Sequence, residues 1–148
     1  MDHRSLPTHY AVAIAISSPS HPSRILTVKR PYSLHEELPG LWGLPATSLK
    51  SDETYQQAAS RVANKKLGGV LMLGRVLGES KQIRNLYVLV MRLYEGTLSG
   101  NEPRLPTPPP NSGMTYYTTF QWGPPTLLQE GAKLGSLCSQ ILLSTLNP

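Results

Sequence analysis

Glu53 and Arg61 stand eight positions apart, and Val62, Lys65 and Lys66 follow close behind. On a helix, positions 62, 65 and 66 are i, i+3 and i+4 and share one face. Three carboxylates at that spacing would converge on a hard divalent cation, which takes several oxygen ligands. Here the same positions carry one branched aliphatic side chain and two ammonium groups. A protonated lysine offers three donors and no lone pair. The constellation therefore suits an anion such as a phosphate and repels a metal ion. Glu53 and Arg61 suit each other. An exposed pair of that kind is worth under about 1 kcal/mol, and a structural role is the expected one for both.

The helix that must carry these residues is plainly written. Thr54 is an N-cap, and Gln57 completes a capping box. Ala58, Ala59, Val62, Ala63 and Leu67 form an apolar stripe at helical spacing. Gly68 and Gly69 supply a left-handed stop, and Lys65 and Lys66 favour the negative end of the helix dipole. Ahead of the helix, Trp42-Gly43-Leu44-Pro45 reads as a short extended segment entering a loop.

Residues 41–70, taken together, resemble the Nudix superfamily, whose motif is G-x5-E-x7-R-E-U-x-E-E-x-G-U with U a bulky aliphatic residue. Thr47 stands where the first Gly belongs, Glu53 matches the first Glu, Arg61 the Arg and Gly68 the later Gly. Val62 stands in place of the next Glu, Ala63 of the aliphatic residue, Lys65 and Lys66 of the paired Glu residues, and Gly69 of the last aliphatic. The resemblance implies an α+β domain, a Nudix-like α/β/α sandwich with a mixed sheet, the motif helix on one side and the terminal helix on the other. Family members cleave a diphosphate bond with water activated by Mg²⁺ or Mn²⁺. In them the first Glu and the Arg help hold the loop against the helix, a contact Glu53 and Arg61 can still make.

With Val62, Lys65 and Lys66 at the carboxylate positions, the expectation is a non-catalytic or strongly impaired binder of nucleotide or diphosphate-type ligands. Lys65, Lys66 and Arg30 are the expected phosphate-binding residues, with no metal ligand and no cofactor. The alternative is a divergent Nudix hydrolase, a pyrophosphohydrolase cleaving a nucleoside diphosphate linked to another moiety. That reading needs Mg²⁺ or Mn²⁺ with ligands from Glu36, Glu37, Glu79 or Glu95, or else a metal-free mechanism. A scaffold or dimer subunit using the proline-rich loop is a third class.

The 148 residues suit one domain, 1–148, with a core over about 9–146. Fourteen Lys and Arg against nine Asp and Glu give a net charge of +5, which favours an anionic partner. The basic residues are dispersed and accompany no nucleic-acid motif, so the expected partner is a small anion, not a nucleic acid. A homodimer is compatible with the sequence. Cys138, the single cysteine, excludes an internal disulfide and reads as a buried helix residue among Leu137, Ile141 and Leu142. No stretch reaches the roughly 18 to 20 apolar residues of a membrane span, and a cytoplasmic protein without membrane contact is expected.

Strands are expected at 9–16 and 24–29, with Lys29 and Arg30 at the end of the second, near the pocket. Residues 31–40 form a loop holding His35, Glu36 and Glu37. Adjacent carboxylates on extended chain point to opposite faces, so at most one of that Glu pair could reach a site. A strand interrupted by Gly74 is expected at 70–77, a turn at 78–82, and a central strand at 83–94. The proline-rich stretch 99–113 is expected as a surface loop. A strand at 114–122, a short helix at 126–132 and a closing helix from Gly135 complete the chain. Trp42, Tyr32, Phe120 and Trp122 could stack a base, though core packing is the commoner use of such residues.

Overall fold

The computed structural model describes residues 6–30, 40–100, 102–107 and 116–146. In order, the elements are β1 (Thr8–Ile16), β2 (Ile25–Lys29), β3 (Trp42–Gly43), β4 (Ala46–Ser48), α1 (Tyr55–Lys66), β5 (Leu71–Ile83), β6 (Val88–Leu98) and β7 (Thr119–Gly123), then a 3-10 turn at Pro125–Leu128, α2 (Gln129–Lys133) and α3 (Leu137–Leu146). A four-stranded mixed sheet has the order β4-β1-β6-β5, with β1 and β6 parallel and the other pairs antiparallel. The expected sandwich is present, and a second sheet, β3-β2-β7, antiparallel throughout, accompanies it.

The alternation of β1 divides the core. Ala11, Ala13 and Ala15 face one side, where Leu93, Leu137, Cys138, Ile141 and Leu142 pack. Val12, Ile14 and Ile16 face the other, against Ala58, Ala59, Val62 and Leu67 of α1 and its C-cap. Small residues sit under α3 and large ones under α1. Cys138 is buried in the first cluster, as its neighbours predicted.

The stretch from 70 to 98 corrects the sequence reading. There is no turn at 78–82: β5 runs on through Ile83, and the hairpin turn falls inside the expected strand 83–94, ahead of Val88. The pairing of β5 with β6 shifts register between Leu73 and Val76 and again between Val76 and Gly78, so Gly74 and Gly78 sit at bulges and not at strand ends. A Cβ at Gly78 would lie 2.8 Å from Cγ2 of Ile141. That glycine is where α3 rests on the sheet. β6 is central, as expected, with β1 and β5 on its two edges.

The described part of the proline-rich stretch is docked rather than free. Pro103 is buried, Leu105 packs against the α1 core, and the Arg104 N–H donates to the Leu67 carbonyl at 2.7 Å. Of the strand expected at 114–122, residues 114 and 115 lie outside the described residues, 116–118 are not strand, and β7 covers Thr119–Gly123.

Candidate functional site

The site is assembled by the segment 46–54 and the helix that follows. Thr54 Oγ1 accepts from the Gln57 N–H at 3.1 Å, and Gln57 Oε1 accepts from the Thr54 N–H at 2.9 Å. This box fixes where α1 begins. Gly68 ends it at φ 64°, in the left-handed region. Both ends lie where the sequence places them.

Between those ends, Arg61 reaches back over the loop. Its Nε donates to Glu53 Oε2 at 2.8 Å and its Nη2 to Glu53 Oε1 at 2.8 Å, a two-pronged pair. Nη2 also donates to the Ser48 carbonyl at 2.8 Å, and Nη1 reaches Thr47 Oγ1 at 3.4 Å. The Lys50 N–H donates to Glu53 Oε1 at 2.9 Å. The two side chains are only 13% and 12% exposed, so this is not the ordinary surface pair. The guanidinium hydrogen bonds lower the Glu53 pKa to about 2, with the Lys50 N–H adding to the effect and burial opposing it. The structural role expected of Glu53 and Arg61 has a full geometry here.

The three positions 62, 65 and 66 are not equivalent. Val62 is fully buried against the sheet. Lys65 is exposed, lining a shallow hollow with Gln57, Ser60, Arg61 and Asn64. Lys66, expected to project into the space of a diphosphate beside Lys65, is instead 3% exposed. Its Nζ donates to the Ala46 carbonyl at 2.9 Å and stands 5.2 Å from the centroid of the Tyr117 ring. The reason is geometric. Position 66 lies one helical turn beyond Val62, on the sheet-facing side, and the four-carbon stem carries the charge along apolar surface to a carbonyl at the start of β4. The Ala46 N–H in turn donates to Tyr117 Oη at 3.0 Å. Sequence reasoning missed Tyr117 and the Ala46 carbonyl, because nothing local couples residue 117 to residue 46.

Of the other candidates, Arg30 is half-buried at the end of β2, where the Gly40 N–H donates to its carbonyl at 3.1 Å. Next to it, Lys29 pairs with Trp42 across β2 and β3, and its Nζ lies 5.4 Å from the Trp42 ring centroid. Phe120 and Trp122 pack on the α1 core. Glu79 and Glu95 lie within strands, each with a basic partner: Glu79 Oε1 accepts from Arg92 Nε at 2.8 Å, and Glu95 Oε1 lies 3.2 Å from Arg75 Nε. Glu36, Glu37, His35 and Tyr32 lie outside the described residues.

No protein-family model and no curated protein matches this sequence. Solved structures do match. The MutT protein of Methanosarcina mazei Go1 superposes with a TM-score of 0.73 over 96% of this chain and 95% of its own, at 13% identity. A NUDIX hydrolase from Nitrosomonas europaea gives 0.67 over 95% and 88%, at 14% identity. The MutT NUDIX hydrolase from Burkholderia pseudomallei gives 0.61 over 80% and 84%, at 25% identity. This chain has the Nudix fold.

Within that Nudix fold, the donor set on α1 does not fit a divalent cation. The helix face offers an isopropyl group and a buried ammonium, and the nearby carboxylate of Glu53 is already engaged by Arg61. Among the described residues, no three His, Cys, Asp or Glu come together as a metal site. No helix among them is long and apolar enough to cross a membrane.

Proposed function

We propose that this Nudix-fold protein binds a small anionic ligand of the nucleotide or diphosphate type without hydrolysing it through a metal. In this reading Val62, Lys65 and Lys66 have replaced the metal-binding glutamates of the motif. The observation that supports it is that motif positions 62 and 66 carry a buried valine and a buried lysine, neither of which offers a carboxylate to Mg²⁺ or Mn²⁺. Ligand recognition falls to the cations that remain near the surface. Lys29 over the Trp42 ring offers an ammonium beside an aromatic face, Arg30 adjoins it, and Lys65 lies exposed on α1. Such a pair suits a base or sugar next to a phosphate. Calorimetry with ADP and ADP-ribose in EDTA tests the reading. Binding that persists without metal supports it, and no heat with any member of a nucleotide panel sinks it.

The intact Glu53–Arg61 pair, together with fold neighbours named as hydrolases, favours a second reading. In it the chain is a divergent hydrolase of a nucleoside diphosphate linked to another group. A phosphate-release assay with Mg²⁺ and Mn²⁺ separates the two. Metal-dependent turnover would establish the second reading and remove the first.

A further inference from the structure

We infer that the Lys66 ammonium is this chain's own cation, tethered at the position where a metal-using Nudix protein would keep a carboxylate, and that it closes this helix face to Mg²⁺ and Mn²⁺. The inference rests on the motif alignment used for the proposed function. Its test does not depend on any nucleotide.

The geometry carries the argument. A lysine is almost never fully buried unless its charge is answered, and Lys66 is 3% exposed. Among the described residues, groups that a cation itself would seek lie around it. The Ala46 carbonyl oxygen lies 2.9 Å from Nζ, and the face of the Tyr117 ring lies 5.2 Å away. Carbonyl oxygen is a regular ligand of hard divalent ions. The ammonium and the Tyr117 hydroxyl, which donates to it at 3.4 Å, share that oxygen. The Ala46 peptide is held from its other side as well, by its N–H donating to Tyr117 Oη at 3.0 Å. A divalent ion approaching the same carbonyl would meet a like charge at contact distance, in a setting that screens poorly. The tethered charge thus draws the start of β4 onto α1, and no dissolved cation is required to do it.

The consequence is a fold indifferent to chelators and a phosphate ligand taken without a bound metal. Thermal unfolding and Mn²⁺ binding by electron spin resonance, with Mn²⁺ as the only probe, provide the test on the full chain. Wild type is expected to show the same Tm in EDTA and in millimolar Mn²⁺, with no bound Mn²⁺ signal. Lys66→Met keeps the side-chain length, loses the charge, and lowers Tm by several degrees. Lys66→Arg retains most of the wild-type Tm. Lys66→Glu lowers Tm in EDTA and regains part of it in Mn²⁺, because a carboxylate beside the Ala46 carbonyl now favours a cation. The inference is overturned if wild type holds Mn²⁺, if Lys66→Met is as stable as wild type, or if folded Lys66→Glu ignores Mn²⁺. Should Lys66→Glu fail to fold, the wild-type and Lys66→Met results decide it alone. An absence of nucleotide binding would remove the proposed function and leave this inference standing.

Discussion

The pair formed by Glu53 and Arg61 makes a quantitative prediction. Glu53 has a pKa held at about 2, against 4.5 for an ordinary glutamate, chiefly by the Arg61 hydrogen bonds. A shift of that size sets a ceiling of about 3 kcal/mol. Both partners keep some contact with solvent, and screening reduces the measurable coupling to about 1.5 kcal/mol. The sign follows from the direction of the shift. A carboxyl whose folded pKa is lowered contributes stability that is complete above the unfolded value and is lost as pH falls through the folded one. The loss should therefore fall between pH 4.5 and about 2. A double-mutant cycle with Glu53→Gln, Arg61→Met and the double variant, read by urea unfolding at neutral pH and again at low pH, measures it. The expected coupling of about 1.5 kcal/mol corresponds to a Tm change of about 4 °C in a chain of this size. Glu53→Gln should also flatten the acid limb of the stability curve. A coupling below about 0.5 kcal/mol at neutral pH, in the range of an exposed pair, would refute the claim that the pair locks the loop.

Three more outcomes are expected. Thr54→Ala removes the acceptor of the Gln57 N–H and should cost about 1 kcal/mol in urea unfolding, with Thr54→Ser close to wild type. Gly68→Ala forces a Cβ to within 2.8 Å of the Arg104 carbonyl at a φ of 64°, and should destabilise by about 2 kcal/mol or more; a neutral result would mean that the 102–107 segment does not dock on α1 in solution. Trp42→Ala should weaken binding of ADP-ribose in calorimetry by about tenfold, since it removes the aromatic face beneath Lys29; unchanged affinity would place the ligand elsewhere.

What could be read from the sequence was what local interactions decide. The start and stop of α1 depend on residues within a few positions of one another, and Thr54, Gln57 and Gly68 announce them. The strand at 9–16 is equally local, while the division of the core by its two faces emerges only in the structure. The stretch 70–98 was misparsed because a bulge is a property of two strands. Gly74 and Gly78 look like breakers until β6 is there to carry the ladder past them. Lys66 was misread for a related reason. Helical spacing gives the face a residue occupies, but not which carbonyl a flexible stem will find across that face, and the Ala46–Lys66 contact joins residues twenty positions apart. Tyr117, which completes the setting, is 71 positions from Ala46.

Two basic residues of α1 fasten the loop through groups of the protein itself. Arg61 grips the loop at the Ser48 carbonyl and at Glu53, while Lys66 grips it at the Ala46 carbonyl. The chain from β4 to the N-cap is thereby fastened to the helix at both of its ends. A metal ion bridging helix and loop would serve the same mechanical purpose, and would add the Lewis acidity that hydrolysis needs. An ammonium supplies the fastening without the acidity. It offers no Lewis-acid site to a water, and it donates to the Ala46 carbonyl. In the proposed function, lysine at position 66 would keep the loop in place for recognition without supplying a metal ligand. The buried ammonium on the Ala46 carbonyl is the contact on which the proposed reading depends.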